Sequence, residues 1–190
     1  MALTRLTIDG YGQLELNNCA FRRDGRIEAQ CKATTDTNDA FYGALLENGM
    51  LLAVDNVTRT VTAPTDTSLP VALNYSSEHI YDERTPGLKN FYLKPTDDFY
   101  PRLGYLAVGD KFTTNCISYD STVDTTWTAD TAFKAAVASY ATTPLYGTQC
   151  SNGSILVSAT APTEGISLRV IKSTTMPDGQ FGIKFQAYRV

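Results

Sequence analysis

The chain has 190 residues, with 16 Lys and Arg against 20 Asp and Glu for a formal charge of −4, a length that suits one domain with a real core. Charged residues make up 19% and apolar ones 43%, which argues against a disordered chain and lacks the basic excess of an electrostatic nucleic-acid binder. No apolar run approaches the ~18 residues of a membrane-crossing helix, and eleven Tyr with abundant Thr favour pleated surfaces.

The start, Met1-Ala-Leu-Thr-Arg-Leu-Thr-Ile-Asp-Gly10, alternates polar and apolar residues and has neither the basic nor the apolar region of a secretory signal. Leu14 and Leu16 flank Glu15, so the alternation continues. Arg22-Arg23-Asp24-Gly25-Arg26 separates Cys19-Ala-Phe21 from Ile27-Glu-Ala-Gln-Cys31, and Asp-Gly between such segments predicts a hairpin. Residues 34–39 are polar and read as a linker. The resulting division is an N-terminal strand or hairpin unit over 1–33, either an arm or part of the main sheet, and a β-rich core over 34–190, or one domain throughout.

From Phe41 the pattern predicts a meander: Phe41–Leu46, Met50–Val54 after Glu47-Asn48-Gly49, and Val57–Ala63 in strict alternation, followed by a strand at Val71–Tyr75. Residues 76–100 carry aromatics and turn formers without a period, and a loop of that length is usually functional. Arg102–Val108, Gly109-Asp110 and Lys111–Ile117 predict a second hairpin. Phe133, Ala136, Val137 and Tyr140 form one apolar stripe at helical spacing, so a helix is expected over 129–141, capped by Thr128 or Asp130 and ended by Pro144 and Gly147. Strands follow at Ile155–Val157, Ile166–Ile171 and Phe181–Tyr188, the last two joined through Pro177-Asp178-Gly179. The sum is a mainly β fold, a β-barrel or β-sandwich of roughly ten short antiparallel strands with one helix.

Residues that could carry chemistry are few. His79 is the only histidine and has no partner at i+4, which excludes a helical H-E-x-x-H zinc site; nucleophile-elbow and phosphate-loop signatures are absent, and no strand-to-helix crossover is predicted to hold one. Cys19, Cys31, Cys116 and Cys150 are widely spaced and read as buried free thiols. The adjacent acids Asp82-Glu83 and Asp97-Asp98 read as solvated loop residues, and no EF-hand pattern occurs. No catalytic, cofactor-binding or metal-binding residue is therefore assigned, and no cofactor is expected.

What remains is surface. Tyr75, Tyr81, Phe91, Tyr92, Phe99, Tyr100 and Tyr105, with Arg84 and Arg102, crowd one stretch, and Tyr and Arg are enriched at interface centres. Tyr81, Arg84, Phe91, Tyr92, Phe99 and Tyr100 are the candidate partner interface. A lone Trp127 is the natural platform for a glycan, although such a residue is more often core.

The Asn48-Gly49 turn, Val57–Ala63, Pro70-Val-Ala-Leu-Asn74, Tyr81-Asp-Glu-Arg-Thr-Pro-Gly-Leu-Lys89, Arg102–Val108 and Gly109-Asp-Lys-Phe-Thr-Thr-Asn115 together resemble capsid decoration, or cement, proteins of tailed bacteriophages over roughly residues 40–118. The resemblance implies a small β-rich, non-enzymatic virion protein, made in the bacterial host cytoplasm and located on the capsid exterior. It would bind the major capsid protein lattice, with a homo-oligomer as a further option and no nucleic-acid or membrane partner. The alternative is a virion fibre, tail or adhesion module that binds host glycan or protein.

Overall fold

The computed structural model describes residues 3–15, 31–41, 44–65, 68–76, 92–93 and 100–190. In chain order these form β1 (Leu3–Arg5), β2 (Lys32–Ala33), β3 (Leu46–Glu47), β4 (Leu51–Asp55), β5 (Thr60–Thr62), β6 (Val71–Asn74), β7 (Tyr92–Leu93), β8 (Leu103–Gly104), β9 (Lys111–Thr114), β10 (Ile117–Asp120), α1 (Asp130–Ala138), β11 (Tyr146–Gln149), β12 (Ile155–Ser158), β13 (Ser167–Thr175) and β14 (Phe181–Arg189). The protein is mainly β with one helix among the described residues, as its composition implies. Its two main sheets, one of them a half-barrel, run β1-β10-β12-β11-β13-β14-β9 and β2-β5-β4-β6-β8, and β3 pairs with β7 apart from both.

Strand β4 shows how the two sheets share the interior. Leu51, Leu52, Ala53 and Val54 are all fully buried, and because successive side chains point to opposite faces, Leu51 joins one core while Leu52 and Val54 join another. The first core lies on the large sheet, where Phe112, Ile117, Tyr119, Val157, Leu168 and Phe185 meet Phe133 and Val137 of α1. The second gathers Cys31, Phe41, Met50, Val61, Leu103 and Cys116 behind the smaller sheet. Burying a side chain of this size stabilises the fold by roughly 1.5–3 kcal/mol, so a strand with both faces covered anchors both cores.

Two look-alike turns join the sheets. Asn48-Gly49 and Asn152-Gly153 each bring a glycine to positive φ (85° and 78°), and the Leu51 N–H donates to the Gly153 carbonyl at 2.7 Å. A Cβ on Gly49 would stand 2.2 Å from Thr114 Oγ1, and one on Gly153 2.8 Å from the Phe41 ring. These glycines thus serve close approach as well as turning.

Several local expectations hold and several give way. The β13–β14 hairpin forms around Gly179, at φ 89°, with the Met176 N–H on the Gln180 carbonyl and Asp178 accepting from the Gln180 N–H. The helix is present, but its N-cap is Ala129, whose extended backbone comes with no side-chain cap. Asp130 is engaged elsewhere, accepting 2.9 Å bonds from the Thr7 N–H and the Tyr119 hydroxyl. It ends at Ser139, well before Pro144; Gly147 lies in β11, where a Cβ would press on Ile155 and Phe185.

The predicted hairpin over 102–117 is instead a corner between the sheets: β8 pairs with β6 and β9 with β14. At the turn, Gly109 (φ 96°) donates its N–H to the Ala187 carbonyl, so the chain leaves one sheet for the other rather than folding back on itself. The meander is also shorter than its pattern. β4 and β5 pair, but β3 pairs with β7, and Val57 stands 93% exposed in the β4–β5 turn, where Asp55 accepts from the Val57 and Thr58 N–H groups. An Asx turn thus overrides the alternation. Nor is the pairing wholly antiparallel. β2 runs parallel to β5, and β10 parallel to β12 across a connection that contains α1 and β11; parallel neighbours require such a crossover, which the turn-based reading did not anticipate. The 22–26 hairpin lies outside the described residues.

Candidate functional site

Of the six predicted interface residues, Tyr81, Arg84, Phe91 and Phe99 lie outside the described residues, as do His79, Asp82, Glu83, Asp97 and Asp98. Tyr92 is placed by its backbone in β7, opposite Glu47 of β3. Tyr100 is 49% exposed, and Arg102, two residues on, is exposed as the chain enters β8. Other aromatics of the same stretch are used internally. Tyr75 lies against Gly104, where a Cβ would sit 2.9 Å from its ring, and Tyr105 accepts a 3.3 Å bond from Asn56 Nδ2. Among the described residues of that stretch, Tyr75 packs internally while Tyr100 and Arg102 are exposed.

Trp127 belongs to the core. It is 4% exposed, with its ring edge-on to Phe133 at 5.4 Å. It offers no platform to a sugar.

Two grooves flank the loop that precedes β13. One, of about 520 Å³, lies between the sheets and is lined by Leu69, Pro70, Tyr105, Ile166, Arg189 and Val190 among others; a second, of about 620 Å³, is lined by Leu3, Pro64, Cys150, Leu156, Pro162 and Glu164 among others. The wall between them is fixed from both sides. Gln149 accepts from the Ile166 N–H at 2.9 Å, while the Arg189 guanidinium donates to the Gly165 and Pro162 carbonyls at 2.9 and 3.0 Å. Gly165, at φ 64°, lets the loop press on Gln149. Sequence reading missed these grooves, although Pro162 and Gly165 already marked a loop.

Of the cysteines, half-buried Cys150 lines the second groove, whereas Cys116 is buried in the core. Burial pushes the Cys116 thiol up to about 12, which leaves almost no thiolate at neutral pH. Cys150 Sγ lies against Asn152 Oδ1 at 2.6 Å and reaches the groove wall. Alkylation of the native protein, followed by peptide mass mapping, should therefore label Cys150 while Cys116 reacts only after unfolding. Equal labelling of the two in the folded protein would contradict the burial of Cys116.

Deeper still, Arg5 of β1 pairs with Glu47 of β3 at 2.8 Å and contacts Cys116 Sγ at 3.5 Å. Glu47 also accepts the Gly12 N–H. One carboxylate thereby ties three segments together. Among the described residues, no group of three or more His, Cys, Asp or Glu side chains is placed to hold a metal. Comparison with family models, with curated proteins and with solved structures finds no match.

Proposed function

We propose that the chain is a non-enzymatic structural protein of a bacteriophage virion, one that binds the outside of an assembled capsid and braces contacts between major capsid subunits. The observation that carries this reading is the exposed Tyr100–Arg102 pair, set where the chain enters an edge strand of a sheet whose neighbouring strands are buried on both faces. Tyr brings rigid amphipathic area and Arg a planar fork of donors, the side chains that dominate interface energetics. A stiff frame loses little conformational freedom on docking. Each bound copy then stabilises the assembled shell by mass action, without any reaction. The fibre or adhesion alternative gains nothing from Trp127, whose ring is spent inside the fold.

The test is cosedimentation of the purified chain with empty capsids. The wild type should be retained at a fixed ratio to the major capsid protein and should raise the melting temperature of the particles. Tyr100→Ala with Arg102→Ala should weaken binding at least tenfold, the usual size of a hot-spot loss. No retention of the wild type defeats the capsid reading. Retention of the double variant at full strength removes this face as the docking surface.

A further inference from the structure

We propose that the face of β13, β14 and β9 turned away from the first core is a docking surface for an acidic protein segment, a run of Asp and Glu side chains on a partner, whether or not the chain braces a capsid. Ile183, Phe185 and Ala187 of β14 enter the core, so Lys184 and Gln186 between them point outward. In register with these two residues stand Lys172, opposite Lys184, and Arg169 and Lys111 on either side of Gln186. Four cations thus share one face of three adjacent strands, with Lys172 exposed and the other three partly so. No carboxylate lies at an outward position of these strands. Glu15, whose N–H donates to the Thr113 carbonyl at the edge of β9, is buried and forms no ion pair with them.

Among the described residues, nothing compensates this charge: Lys111, Lys172 and Lys184 have neither an ion pair nor a side-chain hydrogen bond. Like charges directly opposite on neighbouring strands weaken a sheet, so the Lys172–Lys184 pair costs the free chain stability that an anionic partner restores. Arg169 is held ready for such a partner. Its guanidinium lies over the Tyr146 ring, 4.9 Å from the centroid, which fixes its plane and leaves its N–H edge unbonded, the fork that takes a carboxylate in two parallel bonds. A carboxylate-rich segment fits this face better than a nucleic acid does. The Tyr146 ring is covered by Arg169 rather than open to a base, and an extended polyanion would meet, beyond the four cations, a chain of net charge −4. A short acidic segment meets the cations alone.

Fluorescence anisotropy of a labelled octaglutamate peptide, titrated with the full chain, provides the test. The wild type should bind it saturably, and raising salt from about 50 to about 300 mM should weaken binding about tenfold, as screening of partly exposed charges requires. Lys172→Glu should weaken binding about fivefold or more, yet leave the melting temperature unchanged or higher, because it turns a repulsive cross-strand pair into an attractive one. Arg169→Ala should lose a similar amount. Arg59→Glu makes the same change of net charge at an exposed position of the β4–β5 turn and should leave binding within about twofold. The proposal is overturned if the wild type does not bind the peptide at low salt, or if either Lys172→Glu or Arg169→Ala binds as the wild type does. It is overturned equally if Arg59→Glu costs as much as Lys172→Glu, since net charge would then act without a site. A thymidine oligonucleotide supplies the last arm: tighter binding of it than of the peptide, lost in Lys172→Glu, would assign the face to nucleic acid instead.

Discussion

Phe133→Ala is expected to lower the unfolding free energy by about 3–5 kcal/mol, the usual cost of deleting a buried phenyl ring, and the melting temperature by about 10 °C for a chain of this size. Phe133 is completely buried and stacks on Tyr119 with ring centroids 4.6 Å apart, while Trp127 meets its edge at 5.4 Å. Removing it opens a void between two large rings, one of which cannot swing in to fill it because the Tyr119 hydroxyl is tied to Asp130. Thermal and urea unfolding followed by Trp127 fluorescence measures the loss. Val57→Ala provides the contrast, since Val57 is 93% exposed in a turn and a surface truncation of that kind stays within about 0.5 kcal/mol. A Phe133→Ala cost below about 1 kcal/mol would mean that α1 does not seal the first core.

The same pair of residues shows what was legible in the sequence. Phe133 and Val137 sit four apart on an Ala-rich segment, and that spacing by itself identified the helix and its buried face. Val57 sat in an equally regular alternation and misled, because the hydrogen bonds of Asp55 that make the turn do not depend on hydrophobicity. Turn chemistry was readable at Gly49, Gly109 and Gly179, where Gly supplies positive φ, but not at Gly10 or Gly165, which do the same. What each turn joined was not: the Gly109 turn connects different sheets, and the β10–β12 pairing spans a connection containing α1 and β11. Pairing partners are set by long-range packing, to which a local pattern is blind. The candidate interface was legible as a composition of Tyr and Arg. Its division into packed Tyr75 and exposed Tyr100 depends on Gly104, whose missing side chain makes room for the Tyr75 ring.

Glu47→Ala is the other substitution with a large expected effect, about 2–3 kcal/mol. The Glu47 carboxylate holds Arg5 at 2.8 Å and also accepts the Gly12 N–H, so its removal strands a guanidinium and an amide at once. Stranding one partner of a fully buried pair costs about 3–5 kcal/mol; Arg5 and Glu47 keep 28% and 15% of their side-chain surface, and that access to solvent places the loss lower. The sign of the pair's net contribution is a separate matter, because desolvating two charges offsets their attraction. A double-mutant cycle separates the two quantities. Arg5→Met alone should also destabilise, since Glu47 then lacks its cation, but Arg5→Met with Glu47→Ala should cost less than the two losses added. Equality of the double variant with that sum would mean that the 2.8 Å contact couples nothing. Because β1 is the outer strand of the large sheet and Glu47 belongs to the separate β3–β7 pair, loss of the contact should also speed amide exchange at Arg5 and Gly12 before any global unfolding. Exchange that accelerates equally throughout the chain would instead assign the pair to the stability of the whole fold.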